Sequence, residues 1–388
     1  MSFPLIQNNI TKQDLDRVRN YLKNKDILLT QAKKVKEFET KWSKWLGVKY
    51  STFVNSGSSA NLISMAIVNH LYGKGEVIVP ALTWVSDVAS IIQNNLTPRF
   101  VDINLDTLSM SAEDLKKKIN KKTKAIFITH AQGFNGFDKN FFDIINKYKI
   151  PVIEDVCESH GAKYKNKKLG SFGLMSNFSF YYAHHMSTIE GGMICTNDEN
   201  IYELSRMFRS HGLVREINNK SLRSKYINQN KNLNPQFIFQ VPGYNLRSNE
   251  ISAIIGINQL KRLDNNIKKR NLNHEVFLKH INKDKFFVNF KLSGSSNYAF
   301  NLILKNKDNK LMNSLMQNLT QNKIEFRKGS AGGGNQLRQP YLKSFIKSKE
   351  YLDYLNTEHV HFFGMYIGNY PDLKKIDIIK ICTIINKS

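Results

Sequence analysis

Between residues 51 and 154 short apolar runs alternate with amphipathic segments, and this spacing leaves few architectures open. Ser51–Val54, Glu76–Pro80, Pro98–Asp102, Lys124–His130 and Pro151–Glu154 read as strands. Between them Ser59–Leu71, Val85–Gln93, Ser111–Ile119 and Asp138–Tyr148 read as helices, one of them capped by Ser111 with Asp114 three residues on. Strand and helix alternating at this interval predict βαβ units and a mainly parallel sheet. Phe178–Tyr182 and Gly192–Thr196 are expected to add strands to that sheet.

The chain has 388 residues, more than one small core needs and enough for two domains. We expect a large α/β domain over residues 1–250 and a smaller C-terminal α+β domain over 251–388. Ile251–Ile281 reads as a long, mostly helical bridge, broken or bent inside, followed by a strand at Asn297–Leu304 and a helix at Lys310–Gln321. No run of eighteen apolar residues suggests a membrane span, and Met1–Leu5 does not begin like a signal peptide. Cys157, Cys195 and Cys382 lie far apart, with neither a disulfide framework nor metal-ligand spacing. They point to reduced thiols in a cytoplasmic protein that binds no metal. The formal charge is +25, but lysine is spread evenly and no basic segment is interleaved with aromatics. A solvated basic surface that attracts anionic substrates accounts for this better than nucleic-acid binding.

Three segments carry chemistry. Asn55-Ser56-Gly57-Ser58-Ser59 lies between a strand and a helix, where free N–H groups and the helix dipole make an anion site; taken alone it is also an ordinary serine cap. Asp155 ends an apolar strand at the carboxyl edge of a parallel sheet, where ligands bind in open α/β folds. A carboxylate there can pair with a pyridinium nitrogen, though alone a structural acid is the better bet. The run from Phe178 to Gly192, FSFYYAHHMSTIEGG, is the specific one.

That run resembles the Ser-Phe…Lys…Gly-Glu-Gly-Gly signature of the DegT/DnrJ/EryC1/StrS family of pyridoxal-phosphate sugar aminotransferases. The family's lysine lies six residues before the glutamate; here that position is His184, and no lysine occurs between Ser171 and Met193. Phe38-Glu39, Trp45-Leu46-Gly47-Val48, Pro80-Ala81-Leu82-Thr83-Trp84 and Pro242-Gly243-Tyr244-Asn245-Leu246-Arg247 match further family segments. The resemblance implies a type I aspartate-aminotransferase fold. It implies Gly57, Ser58 and Ser179 as phosphate contacts, Trp84 stacking on the cofactor ring, Asp155 at the ring nitrogen and Glu158 near the ring oxygen. It implies a homodimer with shared active sites, because Asn245 of that turn reaches the neighbouring subunit's cofactor phosphate. Many relatives carry glutamine where this chain has Glu158.

Histidine in the lysine position marks the sugar-nucleotide 3-dehydratases, whose substrate loop Gly334–Tyr341 resembles and whose C-terminal end Gly368–Pro371 fits. Arg206–Arg215 reads more like an ordinary aminotransferase. Histidine cannot replace lysine in its covalent link to the cofactor, but its ordinary pKa of about 6.5 suits a general base. The expectation is C3 dehydration of a 4-keto-6-deoxy sugar nucleotide, GDP-linked, by pyridoxal or pyridoxamine 5'-phosphate with L-glutamate as amino donor. His184 is the catalytic base, and Arg247, Arg327 and Arg338 are candidates for substrate phosphate or carboxylate. Three scattered cysteines make an iron–sulfur cluster unexpected. A sugar-nucleotide aminotransferase and a noncatalytic sugar-nucleotide-binding relative stay open as alternatives.

Overall fold

A seven-stranded sheet forms the centre of the structure, a computed structural model that describes residues 2–388. Its strands are β1 (Tyr50–Val54), β2 (Glu76–Pro80), β3 (Thr97–Val101), β4 (Thr123–Thr129), β5 (Val152–Asp155), β6 (Met175–Ser179) and β7 (Gly192–Thr196). Their order is β1-β7-β6-β5-β4-β2-β3. From β3 to β6 neighbours run parallel, while β7 is antiparallel to both β6 and β1. Residues alternate between two cores. Val77, Val79, Phe127 and Ile194 face one, and Ile78, Ile126, Ile128 and Met193 face the other. Such strands read as unbroken apolar runs, which is why the sequence showed them clearly.

Helices cover both faces. α1 is Lys12–Leu22, α2 Lys33–Leu46, α3 Gly57–Tyr72, α4 Val85–Gln93, α5 Ala112–Lys118 and α6 Lys139–Tyr148. α7 (Glu199–Arg209) and α8 (Lys220–Gln229) follow the sheet. α3, α4 and α7 pack on the first core, and α2, α5 and α6 on the second. Ser111 and Asp138 cap α5 and α6 through the backbone N–H of Asp114 and Phe141, as their positions in the sequence suggest.

Two expectations need correction. The strand read at Phe178–Tyr182 ends at Ser179, and the chain then turns into a loop. The bridge read as broken is one 31-residue helix, α9 (Glu250–His280). Its Gly256 lets it approach α2: a Cβ there would lie 2.6 Å from the Phe38 ring. α9 joins two regions, since Ala253, Leu263 and Ile267 belong to the sheet's second core and Phe277 to a third core. That third core lies against an antiparallel sheet of β8 (Ala299–Ile303), β9 (Phe326–Lys328) and β10 (Gly364–Gly368), in the order β8-β10-β9. α10 (Asn309–Gln321), α11 (Leu355–Phe363) and α12 (Lys375–Asn386) complete it, and Phe3 packs there too. Among the described residues no helix is long and apolar enough to cross a membrane.

α2 has no side-chain cap of its own, because its N-cap is Ala32. Glu250, the first residue of α9, supplies the missing acceptor: its buried carboxylate takes the N–H groups of Ala32, Lys34 and Val35 at 3.1, 2.8 and 2.8 Å. Glu250→Ala leaves these donors unpaired. The expected loss is about 2–4 kcal/mol of unfolding free energy, read as a lowered denaturant midpoint. An unchanged midpoint would mean that water replaces the cap.

Candidate active site

The carboxyl ends of β4, β5 and β6 and the start of α3 surround a cavity of about 260 Å³. Parallel strands deliver their last residues to one edge, so Thr129, Asp155 and Ser179 arrive together. α3 begins against the end of β6. A Cβ on Gly57 would lie 2.5 Å from the Ser179 Cβ, so only glycine permits this approach. The Ser56 hydroxyl accepts the Ser59 N–H at 3.1 Å, leaving the N–H groups of Gly57 and Ser58 at the cavity wall without an intrahelical partner. Gly192 is required for a similar reason, since a Cβ there would meet the Ser56 carbonyl at 2.1 Å.

The loop from Phe180 to Gly191 places Tyr181, Ala183, His184 and Glu190 in the wall. It is pinned by the Thr188 N–H to the Phe180 carbonyl at 2.9 Å and the Ser187 N–H to Gln259 at 3.1 Å. His184 Nδ1 is shielded from solvent and has no hydrogen-bond partner among the described residues. Burial pushes the imidazole down to about 4; the Asp155 charge opposes this and Arg270 adds to it. His185 points elsewhere: its Nε2 lies 3.1 Å from the Ser296 carbonyl oxygen, and it does not line the cavity.

Asp155 is buried, and its carboxylate accepts the Cys157 N–H at 2.8 Å. Glu158 accepts the backbone and side-chain N–H groups of Gln132 at 2.9 and 3.2 Å. Burial raises Glu158 to about 7 against those hydrogen bonds; Asp155 raises it further and Arg327 lowers it. Trp84 stands at the rim, 48% exposed.

Gly57, Ser58, Trp84, Asp155, Glu158, Ser179, His184 and Arg327 therefore meet in one cavity. Three expected residues do not. Asn245 is exposed on a turn beside the edge strand β1, held by Arg247 Nε at 3.1 Å, and the Leu246 carbonyl accepts the Asn55 N–H at 3.1 Å. Arg247 stays on that turn. Arg338 has its fork paired with Glu358 at 2.7 and 2.6 Å, against the rings of Tyr351 and Phe362. It anchors the Gly334–Tyr341 loop, which lies on the Pro80–Trp84 segment through the Gln336 N–H to the Ala81 carbonyl at 2.9 Å. The sequence reading missed Tyr298 and Tyr366, which the small sheet brings to the cavity beside Arg327. Register explains the grouping, since Arg327 and Tyr366 are cross-strand partners. Among the described residues, no lysine lines the cavity and no cluster of three or more histidine, cysteine or acidic side chains is arranged for a metal ion.

A mixed sheet with its antiparallel seventh strand, a small α+β region and a cavity at the carboxyl edge together make the fold of type I pyridoxal-phosphate enzymes. The chain belongs to the DegT/DnrJ/EryC1/StrS aminotransferase family, which it matches over residues 8–386. It is 33% identical over 380 residues to the GDP-4-keto-6-deoxy-D-mannose 3-dehydratase of Escherichia coli O55:H7, covering 95% of this chain and 96% of that one. It is 28% identical to the GDP-perosamine synthase of Escherichia coli O157:H7, over 99% and 98% of the two chains. A GDP-4-keto-6-deoxymannose-3-dehydratase solved with a trapped PLP-glutamate geminal diamine superposes with a TM-score of 0.86 at 32% identity, over 99% of this chain and all of that one.

The burial of His184 has a measurable consequence. A ring-nitrogen NMR titration is expected to show it neutral through about pH 5, with a midpoint near 4; a midpoint near the ordinary 6.5 would mean a solvated ring. Unfolded histidine binds its proton below about pH 6.5, whereas folded His184 and His274 do so near 4. Stability is therefore expected to fall as pH drops from about 6.5 towards 4.

Proposed function

We propose that this protein removes the C3 hydroxyl of a GDP-linked 4-keto-6-deoxy sugar, using pyridoxal or pyridoxamine 5'-phosphate and L-glutamate as amino donor. The observation that carries the reading is His184 in a cavity wall that lacks lysine, with Asp155 and Ser179 across from it. The similar proteins named above include dehydratases of this kind, one of them solved with the cofactor and glutamate.

The residues present fit the cofactor. The cradle at Gly57 that a Cβ would fill, with the free N–H groups of Gly57 and Ser58 and the Ser179 hydroxyl, suits a phosphate. Asp155 suits a ring N–H, Glu158 a ring oxygen, and Trp84 an aromatic face. When bound, the cofactor supplies an amine for the sugar ketone and an electron sink. His184, neutral at physiological pH, takes up a proton at a ring nitrogen and delivers it to the departing C3 oxygen. A histidine leaves the cofactor uncovalently held, so the protein does not need the lysine that completes transamination. Arg327 offers its fork to a carboxylate or phosphate entering the cavity. The exposed Asn245 turn would serve the site of a second copy, giving a homodimer with shared sites. Cys157, Cys195 and Cys382 are free, which fits the reducing cytoplasm.

Mass spectrometry of products from a panel of 4-keto-6-deoxy sugar nucleotides with glutamate tests the reaction. A 3-deoxy product is expected. An amine-bearing sugar would identify an aminotransferase, and a cofactor absorbance band without turnover a binding protein.

Variants at His184 test the base. His184→Lys is expected to be trapped on pyridoxal phosphate by borohydride, which the native chain is not, and to dehydrate poorly, because lysine is mostly protonated near neutral pH. His184→Asn should hold the cofactor noncovalently and lose at least about 100-fold in turnover. Dehydration at the native rate by the asparagine variant would remove His184 from the mechanism.

A further inference from the structure

A second carboxyl group faces Asp155 from beneath the cavity. Asp87, in the first turn of α4, is fully buried. Its Oδ1 accepts from Asn61 Nδ2 at 2.7 Å; its Oδ2 accepts from Thr129 Oγ1 at 2.8 Å and, in a closer contact, from Thr83 Oγ1. The Asn61 amide cannot turn over, because its own oxygen accepts Asn177 Nδ2 at 2.9 Å and its second hydrogen faces Ser86 at 3.1 Å. Thr129, which donates to Asp87, is the register partner of Asp155 across β4 and β5, so the strand pairing and this hydrogen bond together bring Asp87 to Asp155 as a hydrogen-bonding neighbour.

Two ionised carboxylates offer only acceptors to each other, so their contact becomes a hydrogen bond only if one acid keeps a proton. The Cys157 thiol and the Tyr341 hydroxyl also feel the Asp87 charge, and neither is a cation. The Thr83 and Thr129 hydroxyls lie 2.6 Å apart and one can donate to the other, which releases one of the two donors from Oδ2 and leaves room there for a hydrogen.

We propose that Asp87 and Asp155 share one proton carried on Asp87, and that Asp87 is a positioning residue that donates to the Asp155 carboxylate and keeps the pair at a single negative charge. Burial first, then the charge and hydrogen bond of Asp155, raise Asp87 well above the usual carboxylate range; the threonine hydroxyls pull the other way. Helix-dipole stabilisation in the first turn also favours ionisation, but it is a small effect beside burying a second charge that forms no ion pair among the described residues. A single negative charge matches one protonated ring nitrogen. That consequence rests on Asp155 facing the cofactor ring, as proposed above.

The test uses full-length protein labelled with 13C at aspartate carboxyls, both with pyridoxal phosphate and stripped of it. One aspartate is expected to keep its proton well above the ordinary carboxylate range, and its signal to vanish in Asp87→Asn. In Asp155→Asn the same signal should titrate at lower pH. Ionisation of every aspartate below about pH 5 in the native chain, or survival of the late signal in Asp87→Asn, would overturn the proposal; the native titration decides this even where a variant fails to fold. Pyridoxal phosphate affinity supplies a separate readout. Asp87→Asn, still a neutral donor, should bind within about twofold of native, while Asp87→Leu should weaken binding by about tenfold or more. Equal losses in both variants would reduce Asp87 to packing. Unchanged affinity in Asp155→Asn would overturn the ring-nitrogen reading and leave the shared proton standing.

Discussion

The central sheet packs apolar side chains on both faces, Val77 and Phe127 into one core, Ile78 and Ile126 into the other. Few polar side chains can be accommodated along such strands, because an unpaired polar group in either core costs several kcal/mol. Functional polarity is therefore concentrated where the strands stop. Thr129, Asp155 and Ser179 are last residues of their strands, and Gly57 is the first residue of the helix that returns over them. The cavity follows from the way the sheet is buried.

The same low polarity sets the chemistry of the side chains that reach it. His184 is held neutral and Glu158 is lifted to about 7, each mainly by loss of water. The site thus contains an imidazole that burial keeps neutral at physiological pH, with the Asp155 charge opposing that shift. The acids are handled differently. Asp155 receives a backbone N–H, Glu158 receives two donors from Gln132, and Asp87 lies in a closed polar network with Asn61, Thr83 and Thr129. Each carboxyl has a distinct set of donors, and burial raises Glu158 and Asp87 above the usual carboxylate range in spite of them.

The large sheet was readable because its strands are continuous apolar runs and its helices carry local caps at Ser111 and Asp138. The residues around Gly57, Asp155 and His184 were readable because each lies in a contiguous segment with a recognisable order. Asp87 escaped notice for a local reason: an acid in the first turn of an amphipathic helix looks like an ordinary favourable charge at a helix start. Only the pairing of β4 with β5 places it against Asp155. Arg338 shows the opposite case, since its pairing is invisible in the sequence. An arginine in a promising loop looks free until Glu358 is folded onto it from α11.

From its sequence alone the chain determined its fold class, the strand ends that would carry the site, and the exchange of lysine for His184, because these depend on residues close to one another along the backbone. Tertiary structure decided which distant groups join them. Tyr298 and Tyr366 reach the cavity only because the small sheet docks beside the large one, with Arg327 and Tyr366 paired across its strands. It also moved the proton affinities of His184, Glu158 and Asp87 away from their ordinary values. Burial and neighbouring charge cause those shifts, and neither exists until the chain has folded.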